Sequence, residues 1–176
     1  MLARVSARVR MLLRILAFRI RLRNWREVWQ GLLNQTRGLT LHLRNGLVIR
    51  GSDRDNLAGI FNEIFVEHCY TPAWFYRPKP GDTVFDVGAN IGGFSLYLGS
   101  KAPGIRVFAF EPHPETFTWL SQNLAENRLN GTISARQLAI GRGPGEVRFS
   151  GASGVESGHE AASPTGDGEM NCDIFR

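Results

Sequence analysis

The sequence has little cysteine and no long apolar run. Two cysteines, Cys69 and Cys172, cannot build a disulfide framework, and there is no C-x-x-C pair to suggest zinc. A reducing, cytosolic compartment is the expectation. In the first 25 residues the longest uncharged apolar stretch, Ile15 to Phe18, falls far short of the ~20 residues a membrane span needs. That segment also lacks a signal-peptide core and a small-residue cleavage site. No His/Cys/Asp cluster has metal-ligand spacing, so no metal is expected. Glycine is plentiful, 20 of 176 residues, but without the G-X-Y period of collagen. What remains is ordinary: 43% hydrophobic and 21% charged residues, the usage of a globular chain long enough for one domain plus a short appendage.

Charge is distributed unevenly. Residues 1–50 hold 11 arginines and a single acid, Glu27, for a net +10, whereas residues 51–176 hold 10 basic and 15 acidic residues, for a net −5. The overall +5 therefore belongs to the N-terminal segment, and the rest of the chain is not built to bind nucleic acid. Residues 1–26 have arginines at 4, 8, 10, 14, 19, 21, 23 and 26 and no acid. On a helical wheel Leu2, Val5, Val9, Leu12, Leu13, Leu16 and Ile20 share one face. This is the pattern of an amphipathic leader helix, either packed on the domain or a partner, or lying on anionic lipid. The corresponding localisation is cytoplasmic, with peripheral membrane contact through residues 1–26 as its membrane-associated form.

Residues 27–80 read as a pre-domain region. Two strand-like runs, 39–44 and 47–50, flank Asn45-Gly46, a pair that tolerates the positive φ of a type I′ hairpin turn. Residues 54–68 carry apolar residues at 57, 60, 61, 64 and 65, a helical spacing, with Ser52 or Asp53 as N-cap. Pro72, Pro78 and Pro80 then break the chain. From residue 81 the pattern alternates. Buried strands are predicted at 83–87, 105–110 and 132–140, helices from Gly92 to about Lys101 and over 114–128, and a short fourth strand at 146–150. This implies a parallel sheet with right-handed crossovers. Residues 151–169, rich in Gly, Ser, Ala and Glu, read as a mobile loop.

The candidate site lies where the first strand of this alternation ends. Asp86-Val87-Gly88-Ala89-Asn90-Ile91-Gly92-Gly93 runs from a strand through a glycine-rich turn into a helix start, where free N–H groups and the positive dipole end favour an anionic group. A dinucleotide fingerprint would need glycine where Asn90 stands, so that the pyrophosphate could approach bare backbone. This weakens a nicotinamide-dependent oxidoreductase without removing it. The second strand ends in Glu111, placed to accept hydrogen bonds from ribose hydroxyls. The third ends at Ala139-Ile140, whose backbone is a candidate adenine contact. His113 reads as a loop residue between two prolines, with a general base as its alternative, and Tyr70 and Trp74 as packing residues or part of a lid over the site.

The D-x-G-x-x-x-G spacing resembles motif I of the class I S-adenosylmethionine-dependent methyltransferases. More specifically, VFDVGANIGGFSLYL, VFAFEPHPETFTWLSQNLAEN and LAIGRGPGEVRFS resemble the FkbM-type members of that group, and RGSDRDNLAGIFNEIFVEHCYTP resembles their pre-domain segment. The resemblance runs from about residue 50 to 150. It implies a Rossmann-like α/β fold with an N-terminal helix and hairpin extension, and S-adenosylmethionine as cofactor. Asp86, Gly88, Ala89, Asn90 and Gly92 would then surround the methionine end, and Glu111 would hold the ribose. It further implies O-methylation of a small-molecule, sugar or polyketide-like acceptor. Family members continue into a further strand ending K-x-D-x-E-G, whereas here 90 residues follow Asp86. Residues 81–176 are therefore expected to form a partial domain, truncated after three or four strands and inactive as it stands, and no catalytic base is assigned. The non-enzymatic alternative is a membrane-surface or partner-binding protein with a vestigial cofactor fold.

Overall fold

Asn45-Gly46 does turn the chain, but in a different form from the one its residues suggest. Strands β1 (Thr40–His42) and β2 (Val48–Arg50) pair antiparallel in the register Leu41 opposite Ile49. Only Gly46 takes a positive φ, +97°; Asn45 does not. The Leu43 amide donates to the Leu47 carbonyl at 2.8 Å and the Gly46 amide to the Leu43 carbonyl at 3.1 Å. The loop thus has three residues, a tight turn followed by a left-handed glycine, and replaces the two-residue type I′ turn. The Asn45 side chain is used locally, its Oδ1 accepting the Leu47 amide at 3.2 Å.

The computed structural model describes residues 7–36, 38–51, 54–74, 76–141, 145–149 and 170–175, and the chain divides into two units, Met1–Cys69 and Tyr70–Arg176. In the first unit helix α1 (Ala7–Arg21) leads into α2 (Trp25–Leu33) through a segment that pairs with the hairpin. Leu22 bridges Leu43, with Arg23 donating to the His42 carbonyl and Arg44 to the Arg21 carbonyl. Asn24 continues this pairing with its side chain: Nδ2 donates to the Thr40 carbonyl at 2.9 Å and Oδ1 accepts the His42 amide at 3.0 Å. At Gly31 any side chain would run into Leu39, so glycine lets α2 lie close to the hairpin. Helix α3 (Arg54–Ile60) widens into a π-turn over Phe61–Val66, and His68, at φ +53°, ends it. The N-cap expected at Ser52 or Asp53 lies outside the described residues. Phe18, Leu22, Val28, Leu41, Ile49, Leu57, Phe61 and Phe65 form the core of this unit, with the Phe18 ring against Phe61 and Trp29.

The second unit contains the alternation. Strands β3 (Thr83–Val87), β4 (Arg106–Phe110) and β5 (Ile133–Arg136) form a parallel sheet in sequence order, with Asp86 beside Ala109 and Phe110 beside Arg136. Helix α4 (Gly93–Gly99) connects β3 to β4 and α5 (Pro114–Glu126) connects β4 to β5. Pro114 occupies the first turn of α5, where its missing N–H costs nothing. The architecture is Rossmann-like α/β. The prolines before β3 do not leave a slack linker: the Asp82 carboxylate accepts both the Tyr76 hydroxyl and the Lys79 amide at 2.8 Å. Those bonds hold Asp82 below the usual carboxylate range, while burial and the neighbouring carboxylate push the Tyr76 phenol up to about 12.

Two strand expectations need correction. The run 132–140 is not one strand: β5 ends at Arg136, and Ala139–Ile140 forms β6, which joins β7 (Gly145–Phe149) and β8 (Met170–Phe175) in a separate sheet of order β6-β8-β7. The ladder stops because the Glu111 amide makes its last bond, to the Arg136 carbonyl at 3.1 Å, and the next amide on that edge, that of His113, turns back to Glu111 Oε1 at 2.9 Å. Nor is β3 buried on both faces. Asp86, Val107, Ala109 and Ile133 point to the covered face, whereas Phe85 and Val87 are exposed on the other, where Phe85 stacks on Phe108 and Phe110. The short fourth strand predicted at 146–150 corresponds to β7, and the predicted loop at 151–169 lies outside the described residues. Among the described residues no helix is long and apolar enough to cross a membrane.

Candidate functional site

The ends of β3 and β4 place two acids at one hydrogen-bonded turn. After Asp86 the backbone takes a positive φ at every second residue: Gly88 at +77°, Asn90 at +52° and Gly92 at +88°. Such alternation suits glycine and is tolerated by asparagine. The amides of Gly88 and Ala89 both donate to the Phe110 carbonyl at 2.9 Å, tying the turn to the end of β4. The Asn90 side chain folds back, with Oδ1 accepting the Ile91 amide at 2.8 Å. At Gly92 an added Cβ would lie 2.6 Å from Leu120 Cδ1, so helix α5 closes on the turn there.

Asp86 is almost wholly buried, and one carboxylate oxygen accepts the Ser95 hydroxyl at 2.6 Å. Burial raises its pKa, and the Ser95 bonds oppose that rise. Glu111 is also buried. Its Oε2 accepts the Asn90 amide at 2.8 Å and its Oε1 the His113 amide at 2.9 Å. Its pKa too is raised, first by burial and also by Asp86, while the His113 and Asn90 amides pull it down. The structure therefore brings Asp86, Gly88, Ala89, Asn90, Gly92 and Glu111 together. Ala139 is not part of this group, since it stands in β6 beyond the end of the parallel sheet.

Two contributors go unmentioned in the sequence reading. Ser95 sits fully buried on α4, and Asn123 fully buried on α5, where its Nδ2 donates to the Ile91 carbonyl at 2.9 Å. The available signal was a polar residue among the buried positions of each helix, Ser95 beside Leu96 and Asn123 between Leu120 and Leu124. His113 is the N-cap residue of α5, its ring against the Thr116 hydroxyl. Tyr70 is half exposed and rests on the Phe94 ring, and Trp74 is 85% exposed. No group of three or more His, Cys, Asp or Glu residues among those described could hold a metal ion.

Chemically, the site is acidic, and the amides of residues 88 to 92, which the sequence suggested would be free, are taken by Phe110, Glu111 and the turn itself. Two buried acids disfavour a phosphate at the turn and favour a ligand that brings a cation and hydroxyl donors. Each Glu111 oxygen accepts one amide, and a carboxylate has lone pairs for further donors.

Known proteins share this half of the chain. The 31-O-demethyl-FK506 methyltransferase FkbM of Streptomyces tacrolimicus is 39% identical over 94 residues, 53% of this chain and 36% of that one. Methyltransferase sdnD of Sordaria araneosa is 40% identical over 88 residues, 50% of this chain and 33% of its own. Hexuronic acid methyltransferase AglP of Haloferax volcanii is 37% identical over 68 residues, 39% of this chain and 26% of its own. No family model matches. The matched half of this chain is similar to FkbM-type methyltransferases, and it spans about a third of the length of the first two relatives.

Proposed function

We propose that this FkbM-type chain binds S-adenosylmethionine and carries the cofactor half of an O-methyltransferase for a small-molecule or sugar acceptor. The observation that carries the proposal is the pairing of Asp86 and Glu111 around a turn with positive φ at residues 88, 90 and 92. In this reading Asp86 faces the ammonium of the methionine end, the turn from Gly88 to Gly92 surrounds that end, and Glu111 accepts the ribose hydroxyls. The cofactor, when bound, supplies a methyl group on a sulfonium that is already an activated leaving group. The residues named here then have to bind and orient, and general-base duty is assigned to none of them. Ser95 fixes the rotamer of Asp86, and Asn123 fixes the carbonyl of Ile91. The net −5 of residues 51–176 favours a small acceptor over a nucleic acid.

Isothermal titration of the full chain with S-adenosylhomocysteine tests the reading. Glu111→Ala is expected to weaken binding by about 1–3 kcal/mol, roughly 5- to 150-fold. A folded chain that takes up NADH and not S-adenosylhomocysteine would move the assignment to an oxidoreductase. Methyl incorporation from labelled S-adenosylmethionine into tRNA, but not into sugars or macrolides, would overturn the acceptor class alone.

A further inference from the structure

We propose that α1 is a two-sided helix, with one face built into the N-terminal unit and the opposite face seated on an anionic lipid surface. The inference is independent of the methyl-transfer reading, because α1 and the glycine turn lie in different units.

The fixed side is well defined. Phe18 and Leu22 are buried, Phe18 against the rings of Trp29 and Phe61. The backbone end of the helix is also held, because the Arg44 side chain donates to the Arg19 carbonyl at 3.3 Å and its amide to the Arg21 carbonyl at 2.8 Å. The other side is unlike a solvated helix face. At 100° per residue, Leu12, Leu13, Leu16 and Ile20 fall within about 100° of arc, roughly opposite Phe18 and Leu22. They are 64%, 56%, 50% and 60% exposed. Four large aliphatic side chains in one continuous strip require a cover.

Charge indicates what that cover is. On the same wheel Arg19 lies about 20° from the Leu12 edge of the strip and Arg21 about 80° beyond its Leu13 edge. Residues 1–26 contain eight arginines and no acid. A second copy of the chain would bring like charges together around the strip, which disfavours self-association. A nucleic acid would engage the arginines and leave the leucines in water. The headgroup boundary of a bilayer satisfies both, with acyl chains for the strip and anionic phosphates for its borders.

The test is co-sedimentation of the full chain with vesicles. The wild-type protein is expected to bind phosphatidylcholine–phosphatidylserine vesicles and not phosphatidylcholine alone, with binding that falls as salt rises. Leu12→Gln, Leu16→Gln and Ile20→Gln together should lower binding at least about tenfold. Because all three side chains are exposed, circular dichroism and the melting temperature should be unchanged. Arg19→Gln with Arg21→Gln should lower binding by about fivefold per charge. Undiminished binding by either variant would overturn the proposal. So would a wild-type chain that ignores vesicles but is dimeric by light scattering and turns monomeric in the triple variant, since the strip would then belong to a second copy.

Discussion

Gly92 is where the geometry of the turn can be tested most directly, because two separable costs meet there. Its φ of +88° lies in the left-handed region, and Gly92→Ala should lose about 1–2 kcal/mol for that reason alone. The new methyl would also sit 2.6 Å from Cδ1 of Leu120, which is fully buried and cannot swing into solvent. Overpacking of this kind costs about 1–3 kcal/mol, so the substitution as a whole should cost about 2–5 kcal/mol. Against a typical domain stability of about 5–15 kcal/mol that is large but survivable. A double-mutant cycle separates the two costs. Leu120→Val removes the offending Cδ1 at a cost of about 0.5–1.5 kcal/mol by analogy with Ile→Val. In the double variant the overpacking should vanish and the backbone strain persist, leaving it about 1–3 kcal/mol more stable than the sum of the single losses. Urea denaturation of the full chain, followed by fluorescence and far-UV circular dichroism, gives all four corners. Additivity within about 0.5 kcal/mol would show that α5 does not close on the turn at this point.

Three further outcomes follow from the same site. Asp86 and Glu111 both have folded pKa values raised above their unfolded ones, so the folded state holds extra protons and their ionisation is destabilising. Their contribution to stability is therefore present below the unfolded values of about 4 and is lost as pH rises through the raised folded values. Asp86→Asn keeps an acceptor for Ser95 and should flatten the decline in urea midpoint on that rise, and an unaltered pH profile would refute the buried assignment. Asn123→Leu leaves the Ile91 carbonyl without its side-chain donor and should destabilise by about 1–3 kcal/mol. It should also weaken S-adenosylhomocysteine binding more than that of methylthioadenosine, which lacks the amino-acid tail, and equal losses would make Asn123 a packing residue only. Ser95→Ala should cost about 1–3 kcal/mol through Asp86, and a loss that persists in an Asp86→Ala background, which has no acceptor for the hydroxyl, would refute that route.

What the chain displays locally is what could be read in advance. β3 and β4 are short apolar runs bounded by Gly, Pro and Asp, and Pro114 marks the start of α5, so both strands and the start of the helix appear within a residue of their expected positions. The readings that failed needed a partner elsewhere. The alternation of residues 132–140 contains nothing that reveals the His113 amide beyond the neighbouring strand turning back to Glu111, and that is where the ladder stops. Asn45-Gly46 permits a type I′ turn, but Leu43 and Arg44 are engaged by Leu22 and Arg21, and the loop takes its third residue. The exposed Phe85 and Val87 follow from both helices lying on one face of the sheet, which a strand's own composition does not record. At the site, Asp86, the glycines and Glu111 were visible as chemistry. Ser95 and Asn123 were not, because a buried serine or asparagine acquires its meaning from the atom it reaches.

Glu111 shows how closely the two functions of the turn are joined. Its oxygens accept the amides of Asn90 and His113, and so brace the middle of the turn and the entry to α5 at once. A ribose bound at this carboxylate would add donors to a group already oriented by the backbone and already short of compensating charge. The ligand therefore need not organise the acid on binding, since folding has done so. The same economy makes the residue intolerant of change: losing the carboxylate would remove the brace together with the proposed ribose contact, whereas losing Ser95 or Asn123 would loosen one side of the turn and leave that proposed contact in place. Affinity for the whole cofactor should thus depend most on Glu111, and the distinction between whole cofactor and its adenosine portion most on Asp86, Ser95 and Asn123.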